Sequence, residues 1–311
     1  MNDVLTIILP VFLVIGGGYL AAWKGGFQES AVDGLMSFTT NFAIPCLLFR
    51  GIWQLDLGGD FDPWQLVSFY SGTLIGFTVG LLGARFVFHR DWEDAVAIGF
   101  CCLFANTVML GLPISERAYG EGSLQYNYVI VALHSPIGYG LGITAMEIVR
   151  ARRDNIPNRQ LPIKVASAMF RNALVIAIML GAMANLMDLR FPVVMTDALD
   201  LMIRAALPAA LFGMGGVLYR YRPEGDFRII AFICAVSLLL HPAITFTLGR
   251  ATGLSDGALR AAVVTAAMAP GINTYVFANM YGRAKRVAAS GVLISTAISV
   301  LTAWIWLALL P

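Results

Sequence analysis

Apolar residues run along this chain in long stretches separated by short polar connections. The stretches have the length of membrane-crossing helices, since a span needs roughly 20 apolar residues whereas a barrel strand needs about ten with alternating polarity. Bounded by charge or by Gly/Pro clusters, the pattern predicts ten spans, at residues 4–23, 30–50, 64–88, 92–119, 126–149, 164–187, 194–218, 227–249, 256–281 and 284–309. The first has no basic leader and is read as a retained span rather than a cleaved signal. The fourth and ninth are interrupted. Phe104–Gly120 (FANTVMLGLPISERAYG) and Ala267–Gly282 (AMAPGINTYVFANMYG) break into Asn-Thr, Gly and Pro where a spanning helix stays regular. The expected breaks cover Asn106–Pro113, including Gly111 and Pro113, and Pro270–Thr274. Lipid cannot satisfy freed backbone groups, so such breaks require protein or a water-filled cavity around them.

The two halves resemble one another. NFAIPCLLF around Pro45 matches RAALPAALF around Pro208, Asn106-Thr107 matches Asn273-Thr274, and Tyr119-Gly120 matches Tyr281-Gly282. Each half holds five spans, an odd number, so the second enters the membrane from the opposite face. The expected fold is therefore an all-α membrane protein of ten transmembrane helices. It divides into two inverted five-helix repeats, residues 1–149 and 164–311, joined by a linker at 150–163. In transporters built this way, broken helices bring the substrate site to the midplane between the halves.

Composition narrows the function class. Of 311 residues, 58% are hydrophobic and 13% charged, which is too apolar for a soluble globule and marks an integral membrane protein. Fourteen of the 21 Lys and Arg residues fall on one side of the predicted spans, among them the run from Arg150 to Lys164, and five on the other. This asymmetry puts both termini on the outer side of the cell membrane. Net charge is only +2 with scattered basic residues, so no nucleic-acid surface is expected. Cys46, Cys101, Cys102 and Cys234 lie inside spans without metal-ligand spacing and read as reduced thiols. No nucleophile elbow, zinc-protease motif, phosphate loop or nucleotide fingerprint occurs, so neither an enzyme nor a resident cofactor is predicted.

The breaks supply the candidate chemistry. A half-helix N-terminus offers unpaired N–H groups and a favourable dipole to an anion. Asn106 and Asn273 add amide donors beside Thr107, Thr274, Pro270 and Gly271, although both asparagines equally suit capping. Arg204 lies near the middle of the seventh span, where a charge is expensive, and either meets the substrate or pairs with Asp200 four residues earlier. Asn41, in the matching place of the second span, lines the same cavity or bonds another helix. His134 is the candidate for proton coupling, with His241 as a second; packing is the alternative for both. Asp33 and Glu147 read as solvated, Gly16–Gly18 and Gly213–Gly216 as close helix contacts, and Trp304 and Trp306 as interfacial anchors.

ANTVMLGLPISERAYG resembles the fourth-helix signature of the auxin efflux carrier family, which includes the plant PIN-formed carriers and many bacterial organic-anion permeases. APGINTYVFANMYG is similar to that family's ninth-helix crossing, and NFAIPCLLF to its second helix. The resemblance implies a scaffold of helices one, two, six and seven, often dimeric, and a mobile transport domain of the other six. It also implies an elevator-type displacement that carries a small organic anion. Asn106 stands where the family's carboxylate-contacting asparagine lies. Ala105 replaces the proline that precedes Asn-Thr in plant carriers, and Ala269, with Pro270 after it, takes the place of the crossing proline in helix nine. The leading expectation is a secondary transporter of carboxylates, auxin-like or malonate/malate-like. A sodium-coupled bile-acid-type symporter and a non-transporting receptor or scaffold are the alternatives.

Overall fold

The computed structural model describes residues 2–55, 62–154 and 173–311, and among these every regular element is helical. In the first half these are α1 (Asn2–Trp23), α2 (Glu29–Trp53), α3 (Pro63–Val87), α4 (Trp92–Leu103), α5 (Leu112–Tyr119) and α6 (Leu124–Asp154). In the second they are α7 (Ala173–Leu186), α8 (Val193–Arg220), α9 (Phe227–Ala251), α10 (Asp256–Ala266), α11 (Ile272–Tyr281) and α12 (Lys285–Leu309). Seven of them, α1, α2, α3, α6, α8, α9 and α12, are long and apolar enough to cross a bilayer. The predicted fourth and ninth spans are each divided, into α4/α5 and α10/α11. Most of the basic linker, with Arg159, Lys164 and Arg171, lies outside the described residues, and the predicted sixth span is described only from Ala173.

Prolines shape several of these helices. The chain widens into a π turn at Thr39–Ala43, Thr107–Gly111 and Val236–Leu240, and each ends two residues before a proline: Pro45, Pro113 and Pro242. A proline ring donates no hydrogen bond and crowds the carbonyl four residues back. A wider turn moves that carbonyl aside, and such turns recur at functional sites. Pro45 therefore leaves α2 continuous but bulged at Asn41.

Two helix pairs in contact are built alike. Helix α1 packs chiefly on α8, and α2 packs on both α7 and α8. A Cβ on Gly18 would strike the Phe212 carbonyl, one on Gly215 the Ile15 carbonyl, and one on Gly181 would come 2.7 Å from the Phe49 carbonyl. The two glycine clusters of the sequence thus meet each other, backbone against backbone. Ion pairs tie α2 to α8 at both ends, Asp33 to Arg220 at 2.7 Å and Arg50 to Asp200 at 3.5 Å. Asp33 is accordingly paired rather than merely solvated, and Glu147 accepts from the Tyr281 hydroxyl at 3.4 Å.

At the C-terminal end of α2, the Asn185 amide from α7 donates to the carbonyls of Ile52, Trp53 and Leu55 at 3.2, 2.8 and 2.7 Å. Helix C-termini leave such carbonyls unpaired. Asn185→Ala is expected to cost about 1–2 kcal/mol and lower the thermal midpoint in detergent. An unchanged midpoint would show that water replaces this cap freely.

The remaining helices form a second group in which α3 packs on α4 and α9, and α6 and α12 flank the divided helices. Phe100 of α4 and Phe277 of α11 stack at 4.0 Å between ring centres. At one edge, buried Glu93 accepts from Arg150 Nε at 3.1 Å and Arg283 Nε at 2.9 Å, joining the start of α4 to the ends of α6 and α11. Trp306 departs from its interfacial expectation. It is buried, packs on Phe246 and donates to the Leu238 carbonyl at 2.9 Å, because its face of α12 turns into the helix group.

Candidate functional site

The two interruptions meet. After α4 the chain is unwound over Phe104–Asn106, and after α10 over Ala267–Gly271. Ala105 and Pro270 face each other in an isolated antiparallel β-bridge. Asn106 N–H donates to the Ala269 carbonyl at 2.8 Å, and Gly271 N–H to the Phe104 carbonyl at 2.9 Å. Backbone groups freed by each break are thus satisfied by the other, which is what an apolar environment demands. Ala269 and Pro270 sit at the break as expected. Gly111 and Pro113 do not: Gly111 closes the π turn and Pro113 opens α5, so the first interruption lies upstream of both. The proline reshapes a turn instead of ending the helix, since the first helical turn needs no donor at its position.

Beside this crossing lies a cavity of about 420 Å³. Its walls include Asn106, Thr107, Gly271 and Asn273 from the two breaks, and Thr40 and Asn41 from the π turn of α2. Ser135 of α6 and Ala173 and Leu174 of α7 add to the wall. Among the described residues, no Asp, Glu, Lys, Arg or His lines it. Four helix ends converge at the crossing, and the cavity wall takes in both N-terminal ones, through residues 106–109 and 271–273. First-turn N–H groups such as those of Val108, Ile272 and Asn273 have no partner within a helix. The wall is therefore neutral in formal charge but rich in positive partial charge.

Asn106 is 6% exposed. Its Oδ1 accepts from Met109 N–H at 3.1 Å, so it does cap the helical segment that follows. Capping uses the oxygen and leaves the NH₂ group, which among the described residues donates to the Met214 sulfur of α8 at 3.4 Å. A thioether is a weak acceptor, so the amide keeps donor capacity. Asn273, in the first turn of α11, has no hydrogen-bond partner for its side chain among the described residues. Asn41 donates to Ser37 Oγ at 3.1 Å at the cavity edge. Thr274 is fully buried and turned away, its hydroxyl donating to the Gly271 carbonyl at 2.8 Å.

Arg204 is not part of this wall. It is exposed on α8, and Asp200 pairs with Arg50 of α2 in its place. The i to i+4 spacing allowed an Asp200–Arg204 pair, but a partner across the helix contact takes the carboxylate. His134 is buried among the rings of Phe69, Tyr70 and Phe104, the last 4.7 Å away, while its neighbour Ser135 reaches the cavity. His241 contacts Thr73 Oγ1 at 3.2 Å. Sequence reasoning missed Thr40, Ser135 and Met214. Thr40 was signalled by its place beside Asn41 before Pro45, but nothing local marks Met214.

An all-helical chain with several bilayer-length helices, two divided helices crossing through their backbones, and a polar cavity at that crossing is a multi-pass membrane protein of transporter type. The model of the membrane transport protein family matches residues 3–307, and the chain belongs to that family, the one its auxin-efflux-carrier-like motifs indicate. It is 25% identical to the "Putative malonate transporter" of Rhizobium meliloti (strain 1021), covering 97% of this chain and 94% of that protein. Against the mouse "Lysosomal cholesterol signaling protein" it is 25% identical over 94% of this chain but only 36% of that longer protein. With the "Auxin efflux carrier component 2" of Arabidopsis thaliana it shares 25% identity over 49% of this chain and 24% of the carrier.

Proposed function

We propose that this chain is a secondary transporter of small organic anions, with dicarboxylates of the malonate or malate type as the first substrates to test. The observation that carries the reading is the pair of half-helix N-termini, with Asn106 and Asn273, on one cavity wall whose described residues carry no charged side chain. Such a wall attracts a carboxylate without a fixed counter-charge that would hold it too tightly for release. The cavity volume is in the range of small-ligand sites. The relative named for malonate transport favours a dicarboxylate.

Ten crossings in two inverted repeats account for the packing. Exchanging the halves converts the α1–α8 contact into the α7–α2 contact, and the α3–α4 contact into α9–α10. Elevator-type alternating access fits as well, with α1, α2, α7 and α8 as the scaffold and the other helices moving past it. In that motion the contact of Asn106 at the crossing with Met214 of α8 is a joint that shifts.

Counterflow in proteoliposomes tests the reading. Vesicles loaded with unlabelled malonate are expected to accumulate labelled malonate saturably, with other mono- and dicarboxylates competing. Binding without flux would favour a receptor, and no response to any carboxylate would remove the anion reading.

A further inference from the structure

Behind the crossing, away from the cavity, lies a second polar cluster. Gln65 and Ser68 of α3 and Asn127 of α6 are each 0% exposed, and Ser115 of α5 and Thr265 of α10 are also buried. Their surroundings are apolar, with Phe69, Ile130, Ala262 and Ala266 packed together alongside. The Asn127 amide donates to Ser115 Oγ at 3.0 Å and to Thr265 Oγ1 at 2.9 Å. Gln65 Nε2 donates to the Tyr126 carbonyl at 2.9 Å, which sets its carboxamide against the peptide preceding Asn127. Ser68 follows one turn after Gln65 on the same buried face.

These bonds use both Asn127 amide donors and one of Gln65, and leave oxygens over. Among the described residues, Gln65 Oε1, Asn127 Oδ1 and Ser68 Oγ have no hydrogen-bond partner. Buried polar atoms are rarely left so, and three on two helices that Gln65 ties together point to a shared ligand that accepts oxygen lone pairs. A hard cation does this. Divalent ions are held through carboxylates, and no cluster of His, Cys, Asp and Glu able to hold a metal occurs among the described residues. Neutral amide and hydroxyl oxygens suit a monovalent ion.

We propose that Gln65, Ser68 and Asn127 form a binding site for an alkali cation, Na⁺ or K⁺, with Ser115 and Thr265 holding the Asn127 amide in place. The two broken segments themselves lack carboxylates at the crossing, and this cluster supplies the oxygen ligands from the helices behind them. Its position also connects it to the anion cavity. Ser115 belongs to the helix after the first break and Thr265 to the last turn before the second. Thr265 Cγ2 lies 3.7 Å from where a Cβ on Gly111 would sit, so the cluster abuts the π turn that Asn106 caps. A cation drawing α3, α5, α6 and α10 together fixes the two half-helix N-termini, and by linkage an anion bound there tightens the cation in return. Only this coupling rests on the transporter reading; the site itself does not.

The experiment therefore uses purified full-length protein in detergent without any organic anion. Its thermal midpoint and ²²Na⁺ binding are measured in NaCl, KCl and choline chloride at constant ionic strength. The midpoint is expected to rise saturably in NaCl or KCl over choline, and the cation giving the larger rise identifies the ion. Asn127→Leu should abolish the dependence and Ser68→Ala weaken it several-fold. Gln65→Glu, which keeps the shape and adds a negative charge, should tighten cation binding tenfold or more and guards against a variant that merely misfolds. Identical midpoints in all three salts for the wild type, with no bound ²²Na⁺ and no gain in Gln65→Glu, would mean the oxygens bind water and would overturn the site. Failure of malonate counterflow in a protein that binds the cation would instead count against the anion reading alone.

Discussion

Gly215→Ala is expected to lower the thermal midpoint in detergent by several degrees and to depress transport with it. At this point α1 and α8 touch through their backbones: a methyl on Gly215 is driven into the Ile15 carbonyl and lies 3.0 Å from the Gly18 Cα. Backbone cannot rotate away as a flexible side chain would, so the helices must separate. Overpacking of a tight contact costs about 1–3 kcal/mol, and small residues at membrane helix interfaces exist to allow this approach. Gly18→Ala meets the Phe212 carbonyl in the same crossing and should behave alike. Because one separation relieves both clashes, the double variant should cost less than the sum of the singles. The change also displaces Met214, the neighbour that touches Asn106. A Gly215→Ala protein that melts with the wild type would show that α1 and α8 are not in backbone contact.

Asn106→Asp is expected to fold normally and lose anion transport. Aspartate is as good an N-cap as asparagine and keeps the oxygen that accepts from Met109 N–H. It removes the NH₂ donor and places a negative charge on the cavity wall. Asn106→Ala removes the cap as well, at about 0.5–2 kcal/mol of stability. Losing one hydrogen bond to a charged guest is worth about 1.5–3 kcal/mol, roughly 10- to 150-fold in affinity. The pair of variants separates the two roles of one side chain. Stable Asn106→Asp protein with unchanged counterflow affinity would leave Asn106 a cap and nothing more.

Much of this was legible along the chain because it is local. The length of the apolar runs gave the helices within a few residues, and the Asn-Thr, Gly and Pro clusters marked both interruptions. The glycine clusters at Gly16–Gly18 and Gly213–Gly216 were readable as close contacts, since removing a Cβ has few other uses inside a membrane helix. Proline was read less well. Pro113 looked like a breaker but opens a helical segment, and the actual unwinding sits at Phe104–Asn106, where the partner backbone at Ala269–Gly271 offers replacement hydrogen bonds. Whether a helix stays open depends on that offer, which local sequence does not contain.

Side-chain partners were the least legible. Spacing on one helix suggested Asp200 with Arg204, yet Arg50 from α2 holds Asp200 and leaves Arg204 outside the cavity. Asn106 looked like either a cap or a donor, and the geometry assigns its oxygen to the cap and leaves its NH₂ on a weak acceptor. The sequence by itself determined that this is a helical membrane protein with two interrupted helices, because hydrophobic length and backbone-breaking residues act within a few turns. Only the tertiary structure decided that the breaks satisfy each other, that two helix N-termini face one cavity, and that Gln65, Ser68 and Asn127 each bury an oxygen without a partner among the described residues. Those outcomes depend on which backbone and side-chain groups meet from helices distant along the chain, and hydrogen bonding in an apolar interior is settled by that meeting.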